Sequence, residues 1–293
     1  MGESAVPPLP AKAVEVLASL AGHRVLSTPQ VGAIHSGSLR WAQRLLVRLR
    51  AAGLADYVEA DHARRRLWHA TERGTRLARE AGALEGTPPA GAEIAAGPLA
   101  AHTLAVNEAA ICFLAAAAQR GDDFGPLAWR HEVFHPISRG RGKRKRSLVA
   151  DAVFTYLRAD GPEIAIEQRF LEVDRATLSV DRLAAELARY AELYRAKEAK
   201  AREPLWRGRY PVFPQVHCVL TGATRRALSR RRSTASVLLA ADPLFSRTPE
   251  VAISICLLDD LRRDGPYAPV FREVRDPGRP VDWLGNAVQE KSE

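Results

Sequence analysis

Among the 293 residues of this chain, three acids have the types and spacing to do chemistry: Asp151, Glu172 and Asp174. Glu172 and Asp174 sit two apart in "FLEVDRAT", so in a strand their side chains share one face. Asp151 stands at the start of "DAVFTYL", and the turn "RADGP" that follows signals a hairpin. Antiparallel arms bring the start of the first strand beside the end of the second. The apolar residues of the second arm switch parity, from Ile164 and Ile166 to Leu171 and Val173. That switch predicts a bulge near Glu167 or Gln168, which shifts the later register by one and, to within about a residue, makes Asp151 and Glu172 cross-strand neighbours.

Carboxylates crowded at one sheet end are unfavourable unless a cation sits among them or one keeps its proton. An oxygen-rich cluster suits Mg²⁺ or Mn²⁺, with Asp151 and Glu172 as the metal ligands and Asp174 beside them. Glu132, on the preceding strand, or Glu108, on an upstream helix, is a candidate further acid. A hydrated Mg²⁺ activates water and stabilises the charge that develops on a phosphodiester. The other reading is structural: strand-end acids that cap the next helix or pair with Arg169 or Arg175. Both readings stand on the pattern alone.

The elements that must position these groups fall into two blocks. Residues 1–82 read as three helices, a two-stranded hairpin near Leu54–Glu59 and Arg65–Ala70, and a closing helix. That is the order of a winged helix-turn-helix DNA-binding domain. In its third helix Leu39, Ala42, Leu45, Leu46 and Leu49 form the expected inward stripe, with Arg40, Arg44 and Arg48 opposite. Arg64, Arg65 and Arg66 fall on the wing, where a phosphate backbone would pass. Residues 83–98, rich in Gly, Pro and Ala, read as a linker. Residues 99–293 read as an α/β domain: an apolar helix, three strands, a long helix, a further strand and a basic helix. The fold class is therefore α/β, or α+β overall, a winged helix followed by a domain with a mixed central sheet.

Lysine and arginine total 43 against 34 acids, a formal charge of +9 that favours a polyanionic partner, double-stranded DNA before membrane. The loop "RGRGKRKR" adds Arg141, Lys143, Arg144, Lys145 and Arg146 as candidate phosphate contacts just ahead of Asp151. Arg225, Arg226, Arg230, Arg231 and Arg232 make a second basic patch. Three scattered cysteines without a metal-ligand spacing argue against zinc and fit a reducing, cytoplasmic setting. No signal peptide and no run long enough to span a bilayer is read, and no P-loop or dinucleotide fingerprint is present.

The order helix–strand–strand–strand–helix–strand, with an acid starting one central strand and another ending the next, resembles the PD-(D/E)xK nuclease superfamily, the restriction-endonuclease-like fold. That resemblance implies a lysine two residues past the second acid, or one on the next helix. Here those positions hold Asp174 and Glu186, while Lys197 and Lys200 lie further along. The departure implies a nuclease-like scaffold with altered or lost chemistry.

"HRVLSTPQVG", "RRLWHATERGTRLA", "HTLAVNEAAI", "LAWRHE", "ADAVF" and "FLEVDRATLSVDRLAAELARYAELY", in that order, resemble the replication-relaxation protein family over most of residues 12–220. The resemblance implies a DNA-binding role in plasmid or mobile-element replication or relaxation, with a homodimer as one expected assembly. The alternatives are a Mg²⁺-dependent endonuclease or nickase using Asp151, Glu172 and Asp174, and a winged-helix transcriptional regulator whose C-terminal domain binds a partner. Ala176 stands where the family pattern has glycine.

Overall fold

A computed structural model describes residues 9–60, 65–84, 91–137, 146–197 and 203–287. The chain divides into two compact units, residues 1–114 with 125–127, and residues 115–124 with 128–293.

The first unit opens with α1 (Ala11–Gly22), whose Val16, Leu17 and Leu20 are buried. Strand β1 (Leu26–Ser27) leads into α2 (Thr28–Ile34), which starts on a capping box: Ser27 and Gln30 satisfy each other's backbone N–H groups, and proline follows in the first turn. A short turn containing Gly37 leads to α3 (Leu39–Ala51), capped by Ser38. Strands β2 (Ala55–Ala60) and β3 (Arg65–Ala70) pair antiparallel from Ala55 opposite Ala70 to Ala60 opposite Arg65. With β1 they form a sheet in the order β1-β3-β2. Helix α4 (Glu72–Glu80) closes the winged helix-turn-helix.

Two features differ from the sequence expectation. The stretch that reads as a linker contains α5 (Gly91–Ala96), whose Ala95 is buried against Val25, Leu67 and Ala100, so its alanines serve as packing surface. Helix α6 (Ala100–Arg120) is, by length and composition, apolar enough to cross a bilayer, contrary to the expectation that no run is. It packs as a core helix: Val106, Ala109, Ala110 and Phe113 are buried, and buried Asn107 donates to the Val25 carbonyl at 3.0 Å. The division between the two units falls inside α6, at residue 114.

The second unit is built on a sheet of seven strands among the described residues, ordered β10-β9-β8-β7-β6-β5-β4. Its strands are β4 (Trp129–Pro136), β5 (Ser147–Asp160), β6 (Glu163–Asp174), β7 (Gln215–Leu220), β8 (Ile253–Leu257), β9 (Phe271–Glu273) and β10 (Pro280–Val281). The pairs β4–β5 and β5–β6 are antiparallel, and β6–β7 and β7–β8 parallel, so the sheet is mixed. Helices α7 (Val180–Arg195), α8 (Arg225–Ala241), α9 (Pro243–Ser246) and α10 (Leu258–Asp264) follow β6, β7 and β8 in the chain. The order α6-β4-β5-β6-α7-β7 is the one the sequence predicts.

Both faces of the sheet are covered. On one, Phe170, Val216, Cys218 and Ile255 pack with Leu183, Leu187 and Tyr190 of α7 and Leu228, Ala235 and Leu239 of α8. On the other, Phe124 lies 5.2 Å from Phe154 and 5.7 Å from Trp129, and Tyr156 lies 4.8 Å from Trp283, ring centre to ring centre.

The predicted bulge at Glu167 or Gln168 is absent. Strands β5 and β6 run in one register from Asp160 opposite Glu163 to Ala152 opposite Leu171. Parity switches because Ile164 and Ile166 are 69% and 66% exposed, while Phe170 and Leu171 are buried on opposite faces. Gly161, with φ 62°, takes the first central position of the two-residue turn, where a primed hairpin turn needs positive φ. The irregularity lies one strand away, at Glu132, whose φ of 46° is left-handed in mid-strand. There the β4–β5 ribbon turns over. Trp129 and Phe154 pack with Phe124, whereas Val133, Leu148 and Ala150 join the core beneath α7.

Candidate functional site: an acid pair and a basic helix face

The unbroken register gathers the acids. Ala152 opposite Leu171 puts Asp151 opposite Glu172, and the flanking pairs His131–Ala152 and Val133–Ala150 put Glu132 opposite Asp151. Asp151 and Glu172 face each other across the paired strands, near enough for the Asp151 charge to act on the Glu172 carboxyl. Asp151 Oδ2 also accepts from the Val173 backbone N–H at 2.8 Å, and the Tyr190 hydroxyl donates to Glu172 Oε1 at 2.5 Å. Burial pushes the Glu172 carboxyl well above the usual carboxylate range, and the Asp151 charge pushes the same way. The Tyr190 hydroxyl fixes one oxygen of Glu172.

Asp174 does not join them. It is 9% exposed and receives a two-pronged contact from Arg231 of α8: Nη2 donates to Oδ1 at 3.0 Å and Nε donates to Oδ2. It also accepts from the Ala176 N–H at 3.2 Å, which holds the left-handed Ala176 of the following loop. The structural reading holds for Asp174, although its partner is Arg231 rather than Arg169 or Arg175. Glu132 is exposed, and Glu108 accepts from Gln30 within the first unit. Glu186 is exposed and lies 3.7 Å from Arg182. Among the described residues no group of three or more potential metal ligands forms. Two carboxylates remain, and Mg²⁺ commonly takes one or two, with water completing its shell. Asp151 and Glu172 thus fit that ion in type and number, while the third acid is committed elsewhere.

Sequence reasoning misses Tyr190 and Arg231 as neighbours of the acids. Tyr190 lies on the buried stripe of α7, a position where a tyrosine needs a partner for its hydroxyl, and that is the available signal. Arg231 lies 57 residues from Asp174, and only the packed layer brings them together.

The basic residues divide sharply. On α3, Ala42, Leu46 and Leu49 are buried and Leu45 half-buried, but Leu39 is 51% exposed, a correction to the inward stripe. Leu39 occupies the first helical position, just outside the turn that packs. Arg40, Arg44 and Arg48 are exposed on one face with Val47, and none forms an ion pair among the described residues. On the hairpin, the Arg66 guanidinium lies 4.6 Å from the Tyr57 ring centre, and exposed Arg65 begins β3. Arg146 pairs with Glu192 at 2.7 Å. Arg64, Arg141, Lys143, Arg144 and Lys145 lie outside the described residues.

A family model described as replication-relaxation matches residues 17–207. Among solved structures, the chain resembles the zinc-responsive MarR family member ZitR of Lactococcus lactis at 21% identity, with 28% of this chain and 58% of that one covered and a TM-score of 0.25. A mutant of the same protein matches at 17% identity, with 28% and 57% covered and a TM-score of 0.24. The chain spans under two thirds of the length of these neighbours, and superpositions this loose carry no argument. A search of curated proteins gave no match.

Proposed function

Because the chain belongs to the replication-relaxation family, we propose that it is a DNA-binding protein of plasmid or mobile-element replication, with a nuclease-like second unit. Helix α3 lies in the major groove and the β2–β3 hairpin lies along the backbone. The observation that carries this reading is the face of α3. Arg40, Arg44 and Arg48 recur every four residues, exposed and without counter-ions among the described residues. Three cations one helical turn apart repel one another, a cost that a phosphate backbone relieves. Val47, 53% exposed beside them, suits contact with a thymine methyl group.

The test is duplex binding by fluorescence anisotropy across a salt series. Substituting Arg40, Arg44 and Arg48 together by Gln should flatten the slope of log K against log salt by about 2.7, at about 0.9 for each phosphate no longer neutralised. An unchanged slope removes α3 from the interface.

The acid pair supports a second reading, Mg²⁺-dependent strand cleavage. Asp151 and Glu172 would hold the ion. When bound, Mg²⁺ lowers the pKa of its water and stabilises charge on the phosphodiester. Asp151 is fixed by the Val173 N–H and Glu172 by Tyr190, so neither carboxyl needs to be ordered on binding. No lysine stands two residues past Glu172, where Asp174 is held by Arg231, so the chain has no cation there to orient water. On this reading the protein nicks supercoiled plasmid with Mg²⁺ and not with EDTA, and Asp151→Asn removes the activity. Nicking that survives EDTA or that substitution would exclude the pair as its source.

A further inference from the structure

Helix α8 carries its own charge anomaly. Leu228, Ala235 and Leu239 are its buried stripe, at most 3% exposed. Arg232 lies on that stripe, four residues after Leu228 and three before Ala235, and Arg225 lies two turns earlier on the same line. Arg232 is half-buried, yet no hydrogen bond or ion pair reaches it among the described residues. Arg225 donates to Asp260 of α10, and Arg263 donates to the same carboxylate at 3.1 Å. Arg272 of β9 stands opposite Ile255 of β8, whose side chain packs in the core beneath α8. Burial disfavours the Arg232 charge most, Arg272 and Arg225 add to that, and Asp260 opposes it; Arg272 itself donates to the Pro269 and Phe271 carbonyls, each at 3.2 Å.

A partly buried guanidinium on a packing stripe, facing two further arginines and an acid already shared with two others, is a poor structural element. Breaking even would require an anion. Guanidinium forks match phosphate oxygens in pairs.

We infer that Arg225, Arg232 and Arg272 form a phosphate site on the second unit that takes a backbone phosphate of bound DNA. The site rests on the DNA-binding reading but uses none of the winged-helix residues. Arg226 and Arg230, exposed on the same helix, extend the positive surface along which the strand would run.

The experiment uses the full chain with Arg232→Gln and Arg272→Gln, and with the Arg40, Arg44 and Arg48 substitutions as an independent background. Each single variant should flatten the salt slope of duplex binding, and the two together by about 0.9, the share of one phosphate, with the same loss in the α3 background. An unchanged slope for Arg232→Gln, with the α3 variant still showing its reduced slope, overturns the site and leaves the winged-helix reading standing. The reverse pattern overturns the α3 reading and supports the site. Calorimetric titration with inorganic phosphate separates the sources. Binding of free phosphate that depends on Arg232, with duplex slopes unchanged, overturns the backbone assignment. Thermal unfolding without DNA supplies the structural control. Arg232→Gln should leave Tm unchanged or raise it, because no partner is removed and repulsion from Arg225 and Arg272 is relieved. A fall of about 5 °C or more would mean a structural role and overturn the inference.

Discussion

Two acids on one strand face have opposite fates, decided by what each meets. Glu172 meets Asp151 and Tyr190; Asp174 meets Arg231. Removing one partner of a buried pair leaves an uncompensated charge, which costs about 3–5 kcal/mol. Asp174→Ala should therefore lose stability on that scale in urea unfolding, with Arg231 stranded at the sheet end. A loss under about 1 kcal/mol would show that Asp174 is not structurally committed. That Asp151 and Glu172 come together is legible in the sequence, because a hairpin signal brings those strand ends side by side, but their pairing comes from an unbroken register and not from the bulge that the parity switch predicts. The separation of Asp174 from them is not legible. It depends on a guanidinium from α8, beyond both α7 and β7, and nothing in "FLEVDRAT" encodes that partner.

At the scale of the element, the β4–β5–β6 meander shows which part of a pattern argument carries. The alternation reads as a register shift, but the register never shifts; the far end of the hairpin leaves Ile164 and Ile166 to solvent. Hydrophobic parity reports burial, and burial depends on how far the covering helix reaches. The true irregularity, Glu132, gives no signal because glutamate is an unexceptional strand residue. Its left-handed backbone costs an L-residue roughly 1–2 kcal/mol, least for glycine and most for a β-branched side chain. Glu132→Val should therefore be less stable than Glu132→Gly by about 1 kcal/mol in denaturant melts, the reverse of ordinary strand preference. Valine proving the more stable would mean that β4 relaxes to a regular strand. The helices are the most legible elements, as the Ser27 and Ser38 caps and the stripes of α1 and α7 show. Helix α5 escapes because a six-residue alanine-rich turn has no period to detect.

At the scale of the whole molecule, buried imidazoles link folding to pH. Burial lowers His23, His35 and His135 to about 4 and His217 to about 3, from an ordinary 6.5. Each stays neutral in the fold but is free to protonate in the unfolded chain. The stability they allow is fully present above about pH 6.5 and drains as pH falls toward 4, since the unfolded chain then binds more protons. Tm should drop by about 5 °C or more between pH 7 and pH 5. A Tm that is level across that interval would show that these rings charge without penalty.

The family match ends at residue 207, yet the sheet does not. Strand β6 gains its parallel neighbour only from residues 215–220, and the guanidinium that neutralises Asp174 arrives later still, at position 231. A chain cut where the recognisable portion stops would leave the most motif-rich strand as a raw edge, its amides and carbonyls open to any passing strand. The stretch by which relatives are known is thus not a piece that could stand by itself. The unremarkable tail finishes the architecture on which the signature depends.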